Sequence, residues 1–414
     1  MKHSQSLLLS ILLCFFLIQC SNNSTSEKAE YIQELDSLTV YPADSEPTYE
    51  VDLIQEQSFG GSGKPYWMAI AGCAVDDNDR VIIRGLKNDF KTELHVYNPE
   101  GTYRTQIGRI GRGPGEYEFI SSNFQINTGK IFLHDESIKR LSLFTTDDYS
   151  FEKATRLEDW DVRDLDAVRN MKLSGFYARS DGNLLSIFKG YPTGSGRTGN
   201  TKFMLVDTDG NALNPEPLIE LPSPFYIAND SQGDFMLPVS ARIPLPFLGS
   251  ILYGLTNDDE FYTARTDEFL IKKYDSEGTY QFAFYYPVMG PPFDMESFIE
   301  RKSGPMLSQY ALKNALEEAN IEIPESFSVI QDLMVDDKNR IWVSVMVEYP
   351  ATYEWWMLAE SGELLAKIII PDNETICDIQ NGYLYTKYFD SGDSNDTENW
   401  ESKVVKYSIN LTER

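Results

Sequence analysis

Histidine is nearly absent from this chain, cysteine is scarce, and cations are outnumbered. Of the three histidines in 414 residues, only His95 and His134 lie beyond the first twenty positions. Both fall in predicted strands with no serine or cysteine motif beside them, so no nucleophile–base pair is written into the sequence. No His-Glu-x-x-His spacing marks a metal site either. Beyond Cys20 only Cys73 and Cys377 remain, which excludes a disulfide scaffold. Lys and Arg number 36 against 64 Asp and Glu, a formal charge of −28. A polyanionic surface of that size repels phosphate backbones and argues against nucleic acid as a partner. One apolar run, Leu7 to Ile18, is too short and wrongly flanked to span a membrane as a helix.

That run follows Lys2 and His3 and stops at Leu17-Ile18-Gln19-Cys20, with Ser21-Asn22-Asn23-Ser24-Thr25-Ser26 after it. The pattern resembles the signal peptide and lipobox of a bacterial lipoprotein, in which the cysteine becomes the diacylated first residue. The resemblance implies a signal over residues 1–19, lipidation of Cys20 and an address in the cell envelope. It also implies membrane contact through the anchor only, because two or three acyl chains hold firmly where one would not. An ordinary secretory signal is the plainer alternative. Residues 20–47 are polar, carry Pro42 and Pro47, and read as a tether before a domain over 48–414.

What fills the rest of the chain is one unit, repeated. Val75-Asp-Asp-Asn-Asp-Arg-Val-Ile-Ile83 matches Val335-Asp-Asp-Lys-Asn-Arg-Ile-Trp-Val343, and Tyr97-Asn-Pro-Glu-Gly-Thr-Tyr103 matches Tyr274-Asp-Ser-Glu-Gly-Thr-Tyr280. Each match sets a tight turn between β-branched or aromatic runs, which is the signal for a hairpin. Further first hairpins turn at Thr128-Gly129, Asp181-Gly182, Asp258-Asp259 and Asn381-Gly382. Second hairpins turn near Thr146-Asp147 and at Asp209-Gly210, Glu277-Gly278 and Ser361-Gly362. The units fall at about 69–107, 124–157, 176–221, 251–287, 327–371 and 376–411. Radial arrangement of six four-stranded antiparallel sheets leaves only short edges, so the fold class expected is an all-β, six-bladed β-propeller. The last unit supplies three strands, and the extended stretch 48–55 is expected to complete it. A β-sandwich gives no reason for the same double hairpin to recur.

The chain resembles the exported six-bladed propeller lipoproteins related to NHL-repeat proteins. In that family Gly-x-x-Gly-x-Gly-Pro-Gly-Glu-aromatic ends a blade, and here it is Gly108 to Tyr117. The resemblance implies fold and address and brings no assigned activity.

Cys73, Phe124, Phe176, Tyr253, Leu333 and Cys377 stand two residues before the apolar residue that ends each first strand. A position apolar in all six copies is read as core between adjacent sheets. The two cysteines are then expected to be unbonded, with side chains pointing the same way round the ring.

The first and third connections of each unit are short, and the others are long, at 108–123, 158–175, 189–201, 222–250, 288–326 and 389–401. Elaboration therefore falls on one rim, where loops held by a rigid scaffold carry binding. Within 294–320 Met306, Tyr310, Leu312, Ala315, Leu316 and Ala319 recur at helical spacing and predict a helix packed on the rim. Arg109, Arg112, Glu116 and Trp160 are the candidate ligand-binding residues there, with Gly111, Gly113 and Gly115 permitting close backbone approach. Their alternative role is a tight return between blades, with Glu116 paired to an arginine. Tyr191, Phe225, Tyr226, Phe235, Phe247 and Phe293 would suit sugars or peptide side chains, or pin the loops down. The leading reading is a lipid-anchored binding module for a protein or small sugar-like ligand, with no cofactor. The alternative is a calcium-dependent, lactonase-like hydrolase with Asn123 and Asp332 among the metal ligands at the axis.

Overall fold

The computed structural model describes residues 31–61, 67–87, 89, 91–120, 124–190, 197–228, 242–244, 248–302, 309–319, 322–348, 352–391 and 400–414. Cys20, Asn123, Met306, Tyr191, Phe235 and Phe247 lie outside them. Contacts divide the chain after Leu38. In the first unit the described residues hold a turn in which the Leu35 amide donates to Ile32 O at 3.2 Å.

The second unit, Thr39–Arg414, is a six-bladed β-propeller of four-stranded antiparallel sheets. Blade one is Ala69–Val75, Val81–Leu86, Thr92–Tyr97 and Tyr103–Ile107. Blade two runs from Gln125–Asn127 to Phe151–Arg156, blade three from Lys172–Ala178 to Ile219–Ala228, and blade four from Ile251–Leu255 to Tyr280–Tyr285. Blade five runs from Ile330–Val335 to Leu364–Ile369. Blade three is longer than the repeat predicts, because its outer strand continues to Ala228 and pairs with Arg242–Pro244.

The expected turns form, and the matched sequences share a physical device. Asp76 Oδ1 accepts from the amides of Asn78 and Arg80 (2.9 and 3.0 Å), and Asp336 Oδ1 accepts from those of Lys338 and Arg340 (3.0 and 2.9 Å). Both carboxylates are buried, and their second oxygens take Tyr149 Oη (2.6 Å) and Trp342 Nε1 (2.9 Å). An aspartate that satisfies its own turn tolerates burial. Asp79 and Asn339, at φ 58° in both turns, take the left-handed conformation that Asn and Asp bear best.

Six apolar clusters fill the six gaps between blades. Leu94, Ile107 and Phe144 pack between blades one and two, and Phe132, Leu143 and Phe188 between two and three. Phe203 and Phe261 lie between three and four, Phe284 and Val343 between four and five, and Met357 and Leu384 between five and six. Phe59, Trp67, Val81 and Val404 close the ring between six and one. Each cluster needs two neighbouring sheets, so no blade buries its faces alone.

The ring closes with strands from both ends of the unit. Tyr49–Gly60 pairs antiparallel with Glu401–Glu413, from Tyr49 opposite Glu413 to Gly60 opposite Lys403, and is the outermost strand of blade six. Polar clasps join the same blades. Asp378 Oδ2 accepts from the Val75 amide at 2.7 Å, Ser402 Oγ from the Ile70 amide at 2.9 Å, and Asn381 Nδ2 donates to Asp79 Oδ1 at 2.7 Å.

One expectation is overturned here. Cys73 and Cys377 form a disulfide, with Cα atoms 5.5 Å apart. The reason is a bulge. The inner strands of blades one, three, five and six carry an extra residue at Ala71, Ser174, Gln331 and Cys377. Cys377 is thus level with Ala71, not with Cys73. In blades one to five the repeat position looks back at the preceding blade: Cys73, Phe124, Phe176, Tyr253 and Leu333 each join the cluster on that side. In blade six Ile379 does this, while the bulge turns Cys377 forward into the cluster that holds Cys73. A bulge breaks the two-residue alternation and re-aims a side chain, and it has done so here.

A bond closing a loop of 304 residues restricts the unfolded chain strongly, so the Cys73→Ser/Cys377→Ser double variant is expected to lose roughly 3–5 kcal/mol. Urea unfolding of oxidised protein against the variant measures the difference. A denaturing thiol count that finds both sulfurs free in purified wild type contradicts the bond.

Candidate functional site at the long-loop face

Antiparallel strands alternate direction, so first and third connections open on one face and second and inter-blade connections on the other. On the first face most hairpins close in about five residues, such as 76–80, 98–102, 256–260, 275–279 and 336–340. The second face carries the glycine-rich segment, the connection 157–171, the excursion after Ala228 and two helices, α1 (Met295–Lys302) and α2 (Gln309–Ala319). One helix was expected over 294–320; the described residues there hold two helical stretches, α1 and α2. Of the expected stripe, Leu312 and Leu316 are buried with Phe298, Phe327 and Met346, whereas Tyr310, expected to pack with them, is exposed.

The segment Gly108 to Tyr117 is a closed loop. Arg109–Ile110 pairs in parallel with Glu116–Tyr117, and the Gly111 amide donates to Tyr117 O at 2.9 Å. Glu116 accepts from the Gly113 amide at 2.8 Å and from Arg109 at 2.7 Å. A Cβ on Gly111 would stand 2.2 Å from the Glu116 carboxylate, so this glycine makes room for the loop's own glutamate. Arg112 pairs with Glu118 (Nη2 to Oε2, 3.1 Å), and Arg140 donates to Arg112 O at 3.0 Å and to Glu116 O. The Gly113 amide first, then Arg109, holds the Glu116 carboxyl below its usual range, and Arg112 does the same for Glu118. Both arginines are thus exposed cations already joined to carboxylates, and the loop is a tight return from blade one to blade two.

Trp160 does not line the mouth, contrary to expectation. It is 2 % exposed and packs in the cluster of blades two and three with Phe132, Leu157 and Met204. Its indole lies where a Cβ on Gly210 would be, 2.1 Å from Cδ1. The connection 157–171 folds down over blade three and carries the ring inward. Phe293 likewise packs on Phe298 and Phe327, and the backbone at Phe225 and Tyr226 belongs to the outer strand of blade three.

Both histidines are packed. His95 is buried against Trp67, its Nε2 3.0 Å from Glu93, and burial first pushes its pKa down. Burial does the same for His134. Among the described residues no three Asp, Glu, His or Cys side chains converge as a metal would require. Asp332 sits at the bulge of blade five, accepts from the Leu333 amide at 2.8 Å, and stands within electrostatic reach of Lys387 and Tyr177. The calcium reading therefore gains no set of carboxylate ligands from these residues.

At the long-loop ends of their second strands, blades three and six each carry a lysine that the sequence reading passed over. Lys189 stands opposite Lys172 in blade three, and Lys387 opposite Thr375 in blade six. Both lysines face the position two residues before the bulge, in blades that stand opposite across the ring. Burial, and then Lys172, lowers the Lys189 pKa; burial, and then Arg84, lowers that of Lys387, with Asp332 acting the other way. The available signal was a lysine ending an apolar strand at one register in two copies, Leu184-Leu-Ser-Ile-Phe-Lys189 and Tyr383-Leu-Tyr-Thr-Lys387.

Residues 74–232 match the family model DUF5128, a six-bladed β-propeller. The two share a fold. The match spans less than half of the chain. No curated protein matches it. Among solved structures, a candidate exported protein of Bacteroides fragilis is 13% identical over 91% of this chain and 100% of its own, at a TM-score of 0.50. A DUF4221 member from Bacteroides vulgatus is 12% identical over 89% and 100%, at 0.48. At 13% identity the likeness to the first is one of fold alone.

Two predictions follow from burial. Trp160→Ala is expected to destabilise the propeller by about 3–5 kcal/mol, the cost of emptying a packed indole site, as read by urea unfolding. Asp378 is half-buried at the closure, near Asp337, and its pKa is pushed up to about 6 by desolvation. Its folded value lies above its unfolded one, so its contribution to stability falls as pH rises from about 4 to 6. Asp378→Asn should therefore gain about 2 kcal/mol on wild type between pH 4 and pH 7, and a gap independent of pH would refute the assignment.

Proposed function

We propose that this chain is an exported, lipid-anchored propeller that binds a protein or small ligand through its long-loop face. The observation that carries the reading is the segregation of the two faces. The short-turn face is occupied by aspartates and glycines that close their own hairpins, whereas the excursions and α1 and α2 gather at the other end. Rigid blades with elaborated loops at one end are the arrangement by which propellers and barrels hold ligands. The Cys73–Cys377 bond supports export on separate grounds, because disulfides persist in oxidising compartments. The pattern ending at Cys20 supports the anchor.

Fatty-acid analogue labelling of cells should mark wild type and not Cys20→Ala; equal labelling of both would remove the anchor. The face is tested by attaching polyethylene glycol to a new thiol on residues 21–414. With both native sulfurs bonded, Val347→Cys (long-loop face) and Glu277→Cys (short-turn face) can be labelled selectively. Against a panel of acidic and neutral glycans and envelope peptides, the adduct at Val347→Cys should block binding and that at Glu277→Cys should leave it. The reverse result assigns binding to the other face.

A further inference from the structure

We propose that residues 39–48 are a strap, which binds blades four and five to the closing strand of blade six and shields that strand from tension or proteolysis arriving from the N-terminal side. This deepens the anchored reading above and rests on it only for the source of the tension.

The sequence reads as a tether up to residue 47, but Thr39 onward belongs to the same unit as the blades. The short strand ending at Val40 joins the outer edge of blade four, beside Tyr280–Tyr285. The Tyr41 amide donates to Tyr285 O at 2.9 Å, and the Tyr41 ring stacks on Tyr286 with centroids 5.0 Å apart. Tyr286 in turn meets Phe269 of blade four and Trp356 of blade five, at 5.0 and 5.4 Å. Tyr41 thus packs against the cluster between these two blades, and its hydroxyl donates to Ser361 O in blade five at 3.1 Å. A turn follows, in which the Ser45 amide donates to Pro42 O at 3.2 Å, and Pro47 is buried. The Thr48 amide then donates to Leu364 O at 3.3 Å, on the outer strand of blade five. The next residue, Tyr49, opens the closing strand of blade six. One segment therefore holds three successive blades by their outer strands.

The place of the strap decides what it can do. Tyr49 faces Glu413 at one end of the closing pair, and a pull from the N-terminal side would begin to peel the strand there. Peeling breaks backbone hydrogen bonds one at a time, and each one lost bares more of the sheet edge. At that end Thr48 is held on both sides, its amide by blade five and its carbonyl by the Arg414 amide at 3.2 Å. Arg414 also pairs with Glu46 at 3.1 Å. In a lipid-anchored protein tension enters between Cys20 and the ring, and it must free Tyr41 from its stack and its two hydrogen bonds before it loads Tyr49. Ordering this segment costs chain entropy, which the stack, the buried proline and the edge hydrogen bonds offset.

The test is limited proteolysis of the full mature chain, residues 21–414, by proteinase K, with cut sites read by mass spectrometry, beside thermal melting of the uncut protein. Wild type should be cut before Thr39 much faster than within 42–47. Tyr41→Ala should be cut within 42–47 about tenfold faster than wild type, as the loss of one stacked ring and one hydrogen bond predicts. Cuts within Tyr49–Gly60 should then follow, and the uncut variant should melt about 2 °C lower. Tyr41→Phe keeps the stack and loses only the bond to Ser361, so its rate should fall between the two. Wild type cut within 42–47 as fast as before Thr39 overturns the strap, because the segment is then tether. So does Tyr41→Ala cut and melting as wild type does, or cut within 42–47 while Tyr49–Gly60 resists as in wild type. Neither readout involves an acyl chain. Equal fatty-acid labelling of wild type and Cys20→Ala therefore removes the anchor and leaves the strap, whereas the three outcomes above remove the strap and leave the anchor.

Discussion

The ring closure between blades six and one is the constraint on which the rest depends. Every blade buries its two faces against neighbours, so an open ring would expose two apolar sheets at once. Here the join is made by several kinds of interaction. The strand Tyr49–Gly60 pairs along Glu401–Glu413, Asp378 and Ser402 take amides of the opposite inner strand, and a disulfide spans the gap. Pairing both ends of the unit in one sheet makes loss of either end loss of the whole ring, which is the physical basis of cooperative unfolding. At the same join the Asp378 carboxyl is pushed above its ordinary pKa by desolvation, to about 6.

The same closure divides the molecule into a structural face and an available one. Hairpins on the short-turn face consume their polar side chains internally, as Asp76 and Asp336 do. On the opposite face the polar groups behave in two ways. Arg109 and Arg112 are consumed as well, by Glu116 and Glu118, so the most distinctive motif of the chain is a structural return. Lys189 and Lys387 are not consumed within the described residues.

Much of the fold was legible in the sequence because its signals are local. Turn aspartates, positive-φ residues such as Asp79 and Gly101, and alternating apolar residues declare hairpins within a few positions, and their repetition declares the number of blades. The orphan strand at 48–55 was legible by subtraction, although its pairing extends to Gly60. The site was less legible. Trp160 reads as an aromatic in a long loop, yet that loop folds back and buries it over Gly210. The register of Cys377 was misread because a bulge in one strand shifts which residue faces which blade, and no composition or spacing announces it.

The sequence by itself determined the blade count, the closure by an N-terminal strand and the face that carries the long connections. These follow from two-residue alternation and turn chemistry, which act between near neighbours. Only the tertiary structure decided the disulfide, the inward turn of Trp160 and the pairing of each arginine in the glycine-rich loop. The disulfide joins blades 304 residues apart in the chain and turns on a bulge in one strand, and the Trp160 ring is buried because the connection that carries it folds over Gly210. The arginines are paired within their own loop, by a return whose path no spacing of residue types announces.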